Sequence, residues 1–162
     1  MTTEAKARSP DKDALSLGPL AGVVGFHLAQ ATVLATTGFE RHVGTPFGLR
    51  KVEFSLMMLL LANSTPGPVS PKRLAHALAL TAPALTQLLD RLQDRGLLRR
   101  ERNPADGRSQ HIVLTEAGRK MARDSAAAAG PMEQDLNERL SRAELAMLLE
   151  LLGKLAGRRP AR

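Results

Sequence analysis

SPKRLAHALALTAPALTQLLDRLQDRGLLRRERNPADGRSQHIVLTEAG, residues 70–118, sets two helix starts, one apolar stripe and one hairpin in close succession. Ser70-Pro71 puts an oxygen-bearing cap ahead of a proline in the first helical turn, where the missing N–H costs little and the fixed φ suits the helix. This short helix is predicted to end near Ala79. Thr81 is a second cap, with Pro83 again in a first turn. Leu85, Leu88, Leu89 and Leu92 then recur at i, i+3, i+4 and i+7, one buried stripe of an amphipathic helix over about Thr81–Asp94. Gly96 closes that helix as a left-handed residue. Two strands, Leu97–Arg102 and His111–Leu114, flank the Pro- and Gly-containing loop NPADGRSQ, which reads as a hairpin. Helix, tight turn, amphipathic helix and two-stranded hairpin follow one another in the order of a winged helix-turn-helix.

Outward from this stretch the chain stays helical. Leu49–Ala62 is a predicted helix with Val52, Leu56, Leu59 and Leu60 on one face, ended by the breaker cluster NSTPGP at 63–68. GTPFG at 44–48 reads as a turn. Residues 15–43 carry a loose helical pattern, weakened at Gly22, Gly25 and Gly38 by about 1 kcal/mol each relative to Ala. Thr115-Glu116 starts a helix to about Ala129, which Gly130-Pro131 interrupts or kinks. Ser141 and Glu144 form a capping box before a stripe of Leu145, Leu148, Leu149, Leu152 and Leu155. The expected fold is mainly α: a winged helix-turn-helix with a small β-hairpin wing and N- and C-terminal dimerisation helices. The expected division is a disordered tail at 1–14 and one domain at 15–157, followed by a basic tail at 158–162. Within the domain, the DNA-binding lobe spans about 49–118, and dimerisation falls to about 15–43 and 119–157.

The 162 residues are 43% hydrophobic but only 2% aromatic, with four Phe, no Trp and no Tyr, so the core must be built from Leu, Val, Met and Ala. There is no Cys, which excludes disulfides, thiolate metal sites and thiol redox sensing. His27, His42, His76 and His111 are scattered without metal-ligand spacing, and no nucleophile, phosphate-loop or metalloprotease motif occurs. No enzyme, metal or cofactor is implied. MTTEAKARSPDKD has no apolar core of a signal peptide, and no run of about 18 apolar residues occurs, so no membrane partner is expected and the cytoplasm is the expected compartment. The net charge of +7 is concentrated: residues 70–111 hold eight Lys/Arg against four Asp/Glu, and the last ten residues add four more. A basic block on a helix-turn-helix points to double-stranded DNA.

The residues chosen for that contact are Ser70 and Thr81 at helix starts, where backbone N–H groups can hold phosphate. Pro83, Ala84, Thr86, Gln87 and Arg91 lie on the outer side of the second helix, positioned for the major groove. Arg102, Arg108 and Ser109 belong to the wing, whose tip can reach the adjacent minor groove. Asp106 suits a role as partner of a neighbouring Arg, since carboxylates repel phosphate.

Thr81–Gly118 resembles the core signature of the MarR family of bacterial regulators. The matching pieces are LTQLLDRLQDRGLLRR, the D-x-R of Asp106 and Arg108, and the LT-x-x-G of Leu114, Thr115 and Gly118. Ala105 and Gly107 stand where the family's wing commonly carries Arg, and Gln87 where the family often has Arg. The resemblance implies a homodimer with interleaved terminal helices, a pseudo-palindromic operator and a repressor released by a small, often aromatic, anionic effector. On that basis Phe26, His27, Phe47, Arg50 and Met57 are the expected effector-binding residues: an adaptable apolar wall with one cation for a carboxylate and one imidazole. Arg50 reads equally as a cap of its turn. An effector-independent DNA-binding regulator and a winged-helix protein-interaction module are the alternative functions.

Overall fold

The computed structural model describes residues 15–64, 69–103 and 106–157, and at 103, 106–109 and 136 the backbone alone. The expected tails at 1–14 and 158–162 lie outside the described residues. The chain divides into two units, one ending at Leu34 and the other beginning at Ala35.

In the first unit a 3-10 turn, Gly18–Gly22, leads into helix α1, Val24–Phe39, which runs through the boundary between the units. The second unit continues with a π turn, Glu40–Gly44, and the short α2, Thr45–Phe47. The expected turn at 44–48 is therefore helical up to Gly48. Pro46 supports this because it sits in the first turn of α2, and Gly48, at φ 59°, supplies the left-handed stop. Helix α3, Lys51–Ala62, follows. Its buried residues are Glu53, Leu56, Met57 and Leu60, so its inward face is rotated from the expected one, and Val52 and Leu59 are only half-buried.

Helices α4, Pro71–Leu78, and α5, Ala82–Asp94, form the helix-turn-helix. The turn between them rests on Ala79, the one non-glycine with positive φ among the described residues (φ 52°, ψ 41°). Strands β1, Leu98–Asn103, and β2, Asp106–Leu114, pair antiparallel, with Leu98 opposite Leu114 and Arg100 opposite Ile112. A bulge between Arg102 and Asn103 breaks the register. The second strand starts well before the expected His111, because pairing extends toward the tip. The Ile112 amide also donates to the Val69 carbonyl at 3.0 Å, which ties the segment before α4 to the hairpin.

Helix α6, Glu116–Asn137, does not stop at Gly130-Pro131. Gly130 and Pro131 are both exposed, so the ladder bond that Pro131 cannot make is lost on the solvent side. Ala129 is buried and Met132 half-buried on either side of them, which holds the two halves in line. The last helix, α7, Arg142–Leu155, has the expected capping box: Ser141 Oγ accepts from Glu144 N at 3.3 Å, and Ser141 N donates to Glu144 Oε2 at 2.8 Å. The core of the second unit is aliphatic, gathering Leu56, Met57 and Leu60 of α3, Leu74 of α4, the four leucines of α5, Leu98, Ile112 and Leu114 of the hairpin and Ala122 of α6. Two of the four Phe meet in it edge to face, Phe39 and Phe54 at 5.6 Å between ring centres.

Candidate nucleic-acid interface

Both caps read from the sequence form. Ser70 Oγ accepts from Arg73 N and Thr81 Oγ1 from Ala84 N, each at 3.4 Å. Pro71 and Pro83 sit in the turns that these caps open. With Leu85, Leu88, Leu89 and Leu92 all buried, α5 turns this stripe to the core, and its outer side carries Pro83, Thr86 and Gln87 exposed and Ala84 half-buried. Thr86 Oγ1 donates back to the Ala82 carbonyl at 3.0 Å. The Gln87 side chain makes no hydrogen bond among the described residues, so its amide is available for donor–acceptor readout of a base edge.

The second half of α5 is differently placed. Glu53 is buried in α3, with its side chain 5% exposed, and accepts from Arg50 Nε at 3.0 Å, Arg50 Nη2 at 2.5 Å and the Arg50 amide at 3.0 Å. Arg91 Nε of α5 lies 3.5 Å from one carboxylate oxygen, and Nη1 of Arg95, which caps the end of α5, lies 3.6 Å from the other. Arg95 also donates to the carbonyls of Gly48 at 2.9 Å and Phe47 at 3.3 Å, bracing the left-handed turn before α3. On the other flank Arg100 of β1 pairs with Asp90 at 2.5 Å and donates to Gln93 Oε1 at 2.8 Å. Burial raises the cost of the Glu53 charge, but the hydrogen bonds of Arg50 and the charges of Arg50 and Arg95 outweigh it and hold the carboxyl below its ordinary 4.5. Arg91, expected on the DNA side, is thus engaged with Glu53 while still 44% exposed.

Arg102 is exposed on β1. Arg108 and Ser109 belong to β2 by their backbone, and their side chains lie outside what is described, as does that of Asp106. The five expected effector residues divide between the units. In the first, His27 Nε2 bonds the Ala21 carbonyl at 3.0 Å, and its ring meets Phe26 edge-on at 5.6 Å. In the second, Met57 is fully buried, Phe47 is half-buried and Arg50 is committed to Glu53 along its Nε–Nη2 edge. A separate cavity of about 190 Å³ lies over Leu60, Val69, Ile112 and Leu114, with Asn63, Glu101 and Arg119 on its wall. Among the described residues no group of three or more acidic or imidazole side chains suits a metal, and no helix is long and apolar enough to cross a membrane.

A model of the MarR family matches residues 47–109. A Thauera aromatica protein, which carries the name of a transcriptional regulatory protein for the hcr operon, is 29% identical over 93% of this chain and 89% of its own length. The HTH-type transcriptional regulator PecS of Dickeya dadantii is 29% identical over 79% of this chain and 76% of its own. The structure superposes on that of the transcriptional repressor CouR bound to a 23-mer DNA duplex with a TM-score of 0.77 and 29% identity, covering 88% of this chain and 99% of CouR. The chain is similar to regulators of the MarR family, and the family's own pattern lies over residues 47–109. It is a transcriptional regulator of the MarR type, a family of regulators and not of enzymes.

Three features of this chain escape a reading of the sequence. Lys72, Arg73 and His76 are exposed together on α4, beside an open depression. Their i, i+1, i+4 spacing puts the three on one side of the helix and is visible in the sequence. Glu53 is legible as an acid three places after Arg50, but not as the partner of α5. Gly118 looks like one small residue of a motif, and its reason is close packing against the backbone of Leu97.

Proposed function

We propose that this protein is a homodimeric repressor that grips a pseudo-palindromic duplex through α5 and the wing and lets go when a small anionic ligand binds. The observation that carries the DNA part is the split character of α5. Its C-terminal half is anchored by Arg91, Arg95 and Asp90, while Pro83, Thr86 and Gln87 of its first half stand exposed at a capped helix start. A helix start offers free N–H groups to phosphate and its outer side chains to base edges. Ser70, Lys72 and Arg73 on α4 and Arg102 and Arg108 of the wing supply flanking backbone contacts. The DNA-bound repressor CouR, at 29% identity, supports the same use of the fold.

The dimer part rests on apolar exposure. Nothing in α7 is buried, and Met147, Leu148, Leu149, Leu151 and Leu155 are exposed on it. In the first unit Leu20, Val23, Val24, Val33 and Leu34 are exposed as well. Stable chains cover such stripes, and a second copy of the chain does so symmetrically. For the ligand, Arg50 keeps Nη1 without a partner among the described residues and is 55% exposed, so a carboxylate can approach the Nη1–Nη2 end while Glu53 holds the other edge.

The test is binding of a duplex, selected by this protein from a random library, across a salt series. Affinity should fall steeply with salt, by about 0.9 in log–log slope for each phosphate contacted. Salt-independent binding, or no selected duplex, would sink the DNA reading and favour a protein-interaction module. Titration of the complex with aromatic and aliphatic carboxylates then separates the ligand-released repressor from an effector-independent one.

A further inference from the structure

We infer that Glu53 is a positioning residue for the reading helix: it fixes the rotation of α5 through Arg91 and Arg95 and so sets where Gln87 points. The inference rests on the DNA-binding reading above for its consequence, but its structural half stands alone. Four leucines hold α5 against the core, and apolar contact is non-directional. A helix packed only by such a stripe keeps freedom to roll and slide by a fraction of a turn. Charge contacts to a carboxylate that is itself held in place limit that freedom. Here the buried carboxylate of α3 has one oxygen 3.5 Å from the guanidinium of Arg91 in α5 and the other 3.6 Å from that of Arg95, the residue that caps α5. Arg50 fixes the carboxylate itself, using three donors at 2.5–3.0 Å.

Two further facts connect this anchor to the reading surface. Gln87 and Arg91 are four residues apart, one helical turn, so they lie on the same side of α5 and rotate together. Arg100 takes Asp90 and Gln93 on the opposite flank, so α5 is held between two ionic anchors, one on α3 and one on β1. Replacing a buried ion cluster by packed apolar residues is often neutral or stabilising, so the contribution expected of Glu53 is orientation. The cluster also has three cations for one anion. Removing the carboxylate leaves the surplus positive charge in place beside α5, which attracts any duplex irrespective of sequence.

The experiment uses the full-length protein and Glu53→Gln, which keeps size and an acceptor for the Arg50 amide. Binding is measured to a duplex selected by the parent and to a scrambled duplex of equal length, and amide hydrogen exchange is followed in both proteins. We expect at least tenfold weaker binding of the selected duplex with scrambled-duplex binding unchanged or tighter. Exchange should also be at least tenfold faster over Leu88–Asp94 and unchanged in the Met121–Ala129 part of α6. A merely structural role would instead weaken both duplexes together and raise exchange in α6 as well. A retained selected-to-scrambled ratio with unchanged exchange in α5 overturns the inference. If the parent selects no duplex, the DNA reading fails and the exchange result alone decides for or against Glu53 as the anchor. Should Glu53→Gln fail to fold, Arg95→Gln leaves Glu53 paired with Arg50 and Arg91. It should reduce the same ratio by about threefold and loosen the last turn of α5, and an unchanged ratio and exchange there would equally overturn the inference.

Discussion

The carbonyl of Leu97 occupies the space that a β-carbon on Gly118 would need: such an atom would meet the Leu97 carbonyl oxygen well inside contact distance and its carbon at 2.8 Å. The same short segment accepts two bonds from the start of α6, Thr115 N to Leu97 O at 3.1 Å and Thr115 Oγ1 to Gly96 O at 2.7 Å. Leu114, Thr115 and Gly118 are therefore one joint, where α6 is laid against the backbone that leads from α5 into the wing. Gly118→Ala should destabilise the protein by about 1–3 kcal/mol, since backbone on one side and a helix on the other cannot both move aside. Urea unfolding of parent and variant checks this, and an unchanged midpoint would contradict the packing described.

Acid should erode the Glu53 anchor. Its carboxyl is held below 4.5 in the folded chain and returns toward that value on unfolding. The stability it supplies is thus present above about pH 4.5 and is lost as pH falls through the lower folded value. The groups facing it among the described residues are Arg50, Arg91 and Arg95. Unfolding of parent and Glu53→Gln at about pH 7, 4.5 and 3 should show a gap that narrows with acid. A gap of constant width would mean the charge contributes nothing.

Thr81→Ala removes the side-chain oxygen that accepts from Ala84 N. The expected loss is about 0.5–2 kcal/mol in stability, near the lower end because the bond is long at 3.4 Å. Thr81→Ser should restore most of it in the same unfolding assay, because the serine hydroxyl caps equally well.

Two substitutions separate grip from reading. Gln87→Ala, on the exposed side of α5, should lower discrimination between selected and scrambled duplexes more than it lowers scrambled-duplex binding. Arg108→Ala should cost about 1–3 kcal/mol in affinity for the selected duplex and leave the melting temperature within a degree or two. Fluorescence anisotropy on both duplexes measures the two effects, and parental binding by both variants would move the reading surface elsewhere.

Light scattering of the parent at micromolar concentration should give about twice the 17.4 kDa chain mass. Leu149, 62% exposed on α7, should tolerate Glu in an isolated chain but not in a dimer built on that helix. Leu149→Glu is expected to shift the mass toward that of one chain while helix content by circular dichroism holds. A dimer of unchanged mass would place the interface off α7.

The parts of this fold that follow from neighbours in sequence were legible in it. Leu85, Leu88, Leu89 and Leu92, with Thr81 before them and Gly96 after, define α5 by local rules alone, and Ser141 with Glu144 does the same for α7. What escaped was decided across the chain. Glu53 looks like a first-turn acid of α3, and nothing local says that Arg91 and Arg95 come within ion-pair distance of it. Gly130-Pro131 breaks a helix by local rules, and α6 overrides it because Ala129 and Met132 pack inward on either side. Gly38 reads as a weak point in α1, yet a β-carbon there would strike Met132 Cγ at 2.8 Å, so the glycine makes room for that packing. Arg108 reads as a residue of the loop between the strands, whereas its backbone belongs to β2 because pairing extends toward the tip, and the placement of Phe26 and His27 in one unit and Phe47, Arg50 and Met57 in the other is likewise not legible.

The left-handed Ala79 has a consequence for who does the bending. An L-residue with a methyl pays about 1–2 kcal/mol to sit there, where glycine would sit freely and would also swing freely. The corner between α4 and α5 is therefore a stiff elbow, and the two helices travel as one solid piece. A stiff protein corner transfers the work of fitting to the duplex, and base steps that are never touched then enter the energy through how cheaply they deform. On the proposed DNA partner, pyrimidine–purine steps placed between the contacted bases should be favoured for their flexibility alone.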